Sequence, residues 1–242
     1  MAKKVLITGA NRGIGFETAR QLGAKGWQIL LGARNKERGN TAVQKLKGFG
    51  VSAEWIKIDL NDVETIQAAA EYVKSNHSDL KALINNAGVS GDMEKVPLSV
   101  TLDELREVTD VNFLGNFAMI KAFTPILAAN RGRIMNLTIP LTINKYFHPF
   151  AYMTSKAPLN VMIKAFGYEF KKENIPVEIF GILPGGVTTD LNNHEKGIFM
   201  RPVSEGGKVV ADTLLDGKNH QGKIVTKFGL WQILKRALGK RS

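Results

Sequence analysis

Residues 8–15 read Thr-Gly-Ala-Asn-Arg-Gly-Ile-Gly, and they begin where the apolar run Val5-Leu6-Ile7 ends. That run is short and β-branched, the pattern of a buried strand. Behind Gly15, the residues Phe16, Ala19 and Leu22 recur at helical spacing before Gly23 and Gly26. A strand, a glycine turn and a helix in that order leave the chain few folds to choose from. Glycines let the backbone turn tightly and approach a pyrophosphate with no Cβ in the way. The N–H groups and the positive dipole end of the helix then face the phosphates. A glycine turn without a ligand fits the triplet alone equally well, so the rest of the chain has to decide.

Five more segments bear on that decision. Asp59-Leu60 follows the third predicted strand, and Asn85-Asn86-Ala87-Gly88 ends the fourth. Val111-Asn112 and Tyr152-x-x-x-Lys156 come next, then Pro184-Gly185-Gly186-Val187-Thr188-Thr189-Asp190 behind the sixth strand. Together with the spacing Gly9-x-x-x-Gly13-x-Gly15, these segments resemble the short-chain dehydrogenase/reductase family in order and in distance, over roughly residues 3–227. The stretch Ala33-Arg34-Asn35-Lys36-Glu37-Arg38-Gly39 looks closest to its carbonyl-reductase-like branch.

Strands are predicted at 3–8, 27–32, 52–58, 80–84, 132–138, 175–183 and 223–226, and helices at about 13–24, 36–48, 62–75, 101–110, 112–129, 151–173 and 204–215. Continuous apolar strands and alternation with helices predict one α/β domain, a doubly wound parallel sheet covered on both faces. The resemblance implies the strand order 3-2-1-4-5-6-7. The domain is expected over 1–228, with 229–242 as a basic amphipathic tail.

The second strand ends in Ala33-Arg34, without the acid that commonly accepts from the ribose hydroxyls of NAD. Arg34 there, and Arg12 inside the glycine turn, are suited to clamp a 2′-phosphate. NADPH/NADP⁺ is therefore expected in preference to NAD. Beyond Gly9, Asn11, Arg12, Gly13, Ile14, Gly15 and Arg34, the resemblance implies several further cofactor contacts. Asp59 would meet the adenine amine and Leu60 its ring, while Asn86, Ala87 and Gly88 line the ribose. Pro184, Gly185, Val187 and Thr189 would lie at the nicotinamide end.

Tyr152 and Lys156 are one helical turn apart on one face. A nearby ammonium, together with the positive nicotinamide of the oxidised cofactor, is expected to draw the phenol down from about 10, and about three units of lowering takes roughly 4 kcal/mol. Tyr152 is then the acid/base on a small carbonyl substrate, and Lys156 also holds the nicotinamide ribose. Asn112 resembles the asparagine that orders a relay water in the family. The family places a serine thirteen residues before the tyrosine, and that position here is Ile139. Thr138 supplies the hydroxyl by a local shift, Thr142 swings in from the loop, or no hydroxyl replaces it. Losing one such donor costs about 10²–10³ in rate. An NADP(H)-binding sensor with little turnover is the alternative function.

Pro158 inside the predicted 151–173 helix is expected to interrupt its hydrogen bonding just after Lys156. Tyr146, Phe147, His148, Pro149 and Phe150 are candidates for an aromatic pocket wall, and His194 reads as a solvated loop histidine. The net charge is +11, and six Lys or Arg without any acid fall in residues 223–242. This local excess argues against specific nucleic-acid binding. It leaves the tail free to dock on protein or touch an anionic membrane. Cysteine is absent, so no disulfide or cysteine-held metal is expected, and a cytoplasmic location fits. No metal site and no apolar run long enough to span a bilayer is expected. Only twelve residues separate Ile139 from Tyr152, which leaves the helices at 112–129 and 151–173 free to pair in a homodimer or homotetramer.

Overall fold

The computed structural model describes residues 2–140, 149–194, 197 and 200–227. Seven parallel strands form its sheet: β1 (Lys4–Thr8), β2 (Gln28–Ala33), β3 (Ala53–Lys57), β4 (Leu80–Asn85), β5 (Arg133–Leu137), β6 (Glu178–Leu183) and, last in the chain, β9 (Ile224–Thr226). Their order is β3-β2-β1-β4-β5-β6-β9, so the order implied by the resemblance is found, with β9 as its seventh strand. A separate two-residue parallel pair, β7 (Gly186–Val187) with β8 (Met200–Arg201), went unforeseen because it is too short to leave a pattern.

Because successive strand residues face opposite sides, an all-apolar strand feeds two cores. Leu6, Leu30, Leu83 and Ile134 pack toward α3 (Val63–Asn76), α5 (Asn116–Ala129) and α7 (Pro158–Lys172). Val5, Ile7, Ile29 and Met135 pack toward α1 (Gly13–Gly23), α2 (Lys36–Gly48) and α8 (Val203–Leu215). Polar caps fix where several helices start. Asn35 accepts from the Arg38 N–H, Asp62 from those of Glu64 and Thr65, and Thr101 with Glu104 forms a capping box on α4 (Leu102–Thr109).

Three expectations about helices need correction. The predicted break between 110 and 112 is instead a π-helical turn, Asp110–Gly115, that joins α4 to α5 in one helix. That helix, Leu102–Ala129, is long and apolar enough to cross a membrane by length and composition, against the expectation that no such run exists. Half of its most apolar window is buried, and Met119, Ile120 and Phe123 lie fully against the sheet, as in the core helix of a globular fold. The predicted 151–173 helix divides into α6 (Phe150–Lys156) and α7 at Ala157. Ala157 keeps helical angles (φ −58°, ψ −39°) and Pro158 opens α7, where its missing N–H costs little.

Candidate active site

The strand order reverses between β1 and β4, the place where doubly wound sheets open a crevice at their carboxyl ends. Thr8 ties this point together. Its Oγ1 accepts from the N–H groups of Asn86 and Ala87, each at 3.0 Å, and the Asn86 Nδ2 donates back to the Thr8 carbonyl at 2.8 Å. The glycine turn and the end of β4 are thereby one unit.

In the turn itself Gly13 has φ +57°, and a Cβ placed there would meet nothing closer than Thr189 Cγ2 at 3.9 Å. The space before α1 is therefore open, and Arg12 lends no side-chain cap to the first-turn N–H groups at Gly13, Ile14 and Gly15. That is the shape and polarity a pyrophosphate needs, so the residues fit a dinucleotide. Gly9 (φ +65°) and half-buried Asn11 complete the turn. At the far end of the crevice Arg34 is exposed beside Asn35, with no hydrogen-bond or ion-pair partner among the described residues. Asp59 holds its own loop, its Oδ1 accepting from the Asn61 N–H at 3.1 Å, and Leu60 is buried against Gly115. Arg12 reaches across to Asp190, with Nη1 2.9 Å from Oδ2.

The chemistry-bearing side chains come together at Gly88. A Cβ there would lie 2.8 Å from Asn112 Oδ1 and 3.1 Å from Lys156 Cε, so only glycine leaves room for both. The π-helical turn carries Asn112, which is fully buried, and such turns often mark functional positions. Its Oδ1 accepts from the Val89 N–H at 2.9 Å, while Nδ2 donates to the Val89 carbonyl at 2.8 Å and to Ser155 Oγ at 3.0 Å. Ser155 Oγ in turn donates to the Tyr152 carbonyl at 2.9 Å, which links the asparagine to the helix of the tyrosine. Lys156 is buried, and its Nζ donates to the Leu137 carbonyl at 3.1 Å, at the end of β5.

Burial sets the protonation of this pair. It pushes the Tyr152 phenol up to about 12 and draws the Lys156 ammonium down to about 8. Desolvation alone raises the phenol, the direction opposite to the lowering expected from Lys156 together with an oxidised nicotinamide.

Ile139, at the serine position, is buried and offers no hydroxyl. The Thr138 hydroxyl is engaged with Asn160. The Asn160 Nδ2 donates to the Ile139 carbonyl at 3.0 Å, which fixes the amide so that its Oδ1 takes the Thr138 proton at 3.0 Å. Thr138 is directed to α7, as the alternation of neighbouring strand residues requires. Thr142 lies outside the described residues, as do Tyr146, Phe147, His148 and the tail beyond Lys227. Of the aromatic wall, Pro149 is buried and Phe150 begins α6.

Behind Pro184 and Gly185 (φ +84°), Val187 is buried and held in register with Arg201. Thr189 starts a short turn, its N–H donating to Asn192 Oδ1 at 2.9 Å. Ser155, Asn160 and Asp190 were not assigned roles from sequence. Ser155 stands next to Lys156 and Asn160 one turn beyond, so helical spacing from the lysine was the available signal.

The pattern of the short chain dehydrogenase family matches residues 3–197. The chain belongs to that family. A short-chain dehydrogenase, anuI, of Penicillium roqueforti is 32% identical over 240 residues, covering 91% of this chain and 92% of that one. Carbonyl reductase [NADPH] 1 of Mus musculus is 35% identical over 136 residues, 55% of this chain and 47% of the mouse protein. Among solved structures, an alcohol dehydrogenase from the archaeon Thermococcus sibiricus complexed with 5-hydroxy-NADP superposes with a TM-score of 0.82 at 25% identity, covering 96% of this chain and 98% of that one. This short-chain dehydrogenase is an oxidoreductase, and carbonyl/alcohol interconversion is the chemistry its relatives support.

Proposed function

We propose that the protein is an NADPH-dependent carbonyl reductase in which Tyr152 is the acid, Lys156 its partner and Asn112 the residue that sets the relay. The observation that carries this reading is the convergence of Asn112 and Lys156 on bare Gly88, with Lys156 on α6 one turn from Tyr152. A nicotinamide held at this crevice would supply the hydride. With its pKa near 12 the phenol is protonated at neutral pH, ready to give its proton to the carbonyl oxygen as that oxygen gains charge. Lys156, anchored on the Leu137 carbonyl, stays predominantly cationic at pH 7 and stabilises the phenolate left behind. Ser155 keeps Asn112 and the backbone of Tyr152 in fixed relation. Exposed Arg34, standing at the end of β2 where an acid would favour NADH, supports NADPH.

Turnover is tested by following NADPH oxidation with aromatic ketones, diketones and quinones. Tyr152→Phe should lower the rate by about 10²–10⁴. Ile139→Ser, which restores a hydroxyl, should raise it by about 10²-fold, the lower end of what one oxyanion donor supplies. A second reading, an NADP(H)-binding sensor, is favoured by buried Ile139 and by the engagement of Thr138 with Asn160. It predicts cofactor binding with no turnover in any of the three proteins.

The outer face of α5 and α7 supports a homo-oligomer. An apolar groove of about 770 Å³ runs along it between Phe113, Phe117, Pro158, Val161 and Phe166. A second copy of the chain, presenting the same helices, is its proposed occupant. A cytoplasmic location fits the cysteine-free chain.

A further inference from the structure

Arg12 and Asp190 are 178 residues apart in the chain, yet their side chains meet at 2.9 Å across the mouth of the crevice. Both belong to frames that hold them there. Arg12 is the residue before α1, in the glycine turn. Asp190 opens the short turn Asp190–Asn192, which Thr189 and Asn192 cap reciprocally while Asn192 Nδ2 donates to the Val187 carbonyl at 3.1 Å. Val187 is itself fixed by pairing of β7 with β8. The next two residues, Asn193 and His194, take left-handed backbone (φ +50° and +58°), which Asn and His tolerate better than most side chains. This bend brings His194 Nε2 within 3.0 Å of the other Asp190 oxygen.

We infer that Asp190 is a specificity-determining residue that competes with the cofactor's 2′-phosphate for Arg12. The inference rests on the reading of Arg12 and Arg34 as the phosphate-recognising pair. A carboxylate on Nη1 and a phosphate on the same guanidinium repel each other, so engaging the phosphate is opposed by the Asp190 contact. His194 stays on Asp190 when Arg12 leaves, so the carboxylate keeps a partner. A dinucleotide with a plain ribose asks nothing of Arg12 and leaves the bridge intact. Asp190 therefore weakens binding of the phosphorylated cofactor selectively and narrows the preference that Arg12 and Arg34 create. Both side chains are about half exposed, and such pairs shift an equilibrium by about two- to fivefold.

The test is calorimetric and needs no turnover. Adenosine 2′,5′-bisphosphate and adenosine 5′-monophosphate are titrated at low salt into wild type, Asp190→Asn, Arg12→Met and the double variant. Asp190→Asn should bind the bisphosphate about two- to fivefold more tightly and the monophosphate unchanged, and Asp190→Ser should repeat this. In the Arg12→Met background the same substitution should have no effect, because the coupling runs through the guanidinium. An unchanged or weakened bisphosphate affinity in Asp190→Asn overturns the inference. So does a gain that persists without Arg12, which would be a diffuse charge effect. The cofactor reading is judged separately, by whether wild type prefers the bisphosphate over the monophosphate; monophosphate binding also reports that each variant is folded.

Discussion

At the scale of single residues, Lys156 is where function and stability oppose each other. It is buried, its ammonium making one hydrogen bond among the described residues, to the Leu137 carbonyl, and burial draws its pKa to about 8 against about 10.4 in an unfolded chain. Below pH 8 the native state holds a charge in a poorly solvated place, and the penalty is of order 3 kcal/mol. Between about 8 and 10.4 the unfolded chain binds more protons than the native one, so stability rises with pH. Tyr152 acts in the opposite direction. Its native pKa, near 12, lies above the unfolded value of about 10, so its contribution is complete below pH 10 and is lost toward 12. Lys156→Met should remove the rise between pH 8 and 10. It should stabilise the fold at pH 7 by about 1–2 kcal/mol, the charge relief less the cost of an unpaired Leu137 carbonyl, while abolishing turnover. Urea unfolding at pH 7 and 9.5 for both proteins checks this, and a less stable variant at pH 7 would contradict it. The motif residues Tyr152 and Lys156 were readable from their spacing; the direction of the tyrosine shift was not, because it depends on burial that no motif encodes.

At the scale of elements, strands and helices were readable wherever burial leaves a period. The apolar runs inside β1, β2, β4 and β6 announced a sheet covered on both faces, and the Asn35, Asp62 and Thr101 caps mark helix starts in the sequence itself. The π-helical turn left no such trace. Its extra residue shifts the face that the helix presents, placing Asn112 toward Val89 and Ser155 while α5 keeps Met119 and Phe123 on the sheet. Close packing enforces that path, since a Cβ on Gly115 would lie 2.5 Å from the Leu60 carbonyl oxygen. Gly115→Ala should therefore push the helix off the loop after β3 and cost about 1–3 kcal/mol, the usual range for overpacking. Because Leu60 moves with it, adenosine 5′-monophosphate should bind less tightly. Thermal unfolding and calorimetry on the variant measure both effects, and an unchanged Tm would show that the loop yields without cost.

At the scale of the molecule, the order of the motifs predicted which distant segments meet, because a doubly wound sheet delivers its strand ends to one crevice. The bridge from Arg12 to Asp190 and the pairing of β7 with β8 are contacts between loops, and loops carry no periodic signal. The same reasoning extends outward to the face of α5 and α7. One side of each helix is committed to the sheet, yet Phe117 and Val161 remain exposed on the other, lining the apolar groove. Two copies packed through this face would cover those side chains, whereas a stable interface buries about 1,200–2,000 Å² in total and so needs both helices of each copy. Val161 is 68% exposed and makes a clean probe. Val161→Arg leaves the folded chain free to place its guanidinium in water, but in the proposed assembly it puts two unpaired cations into an apolar seam, at a cost of several kcal/mol. Light scattering after size exclusion should then give an oligomer for wild type and a single-chain mass for the variant, with adenosine 5′-monophosphate binding retained. An oligomer that survives Val161→Arg would move the contact to another face and return the groove to solvent or to a different partner.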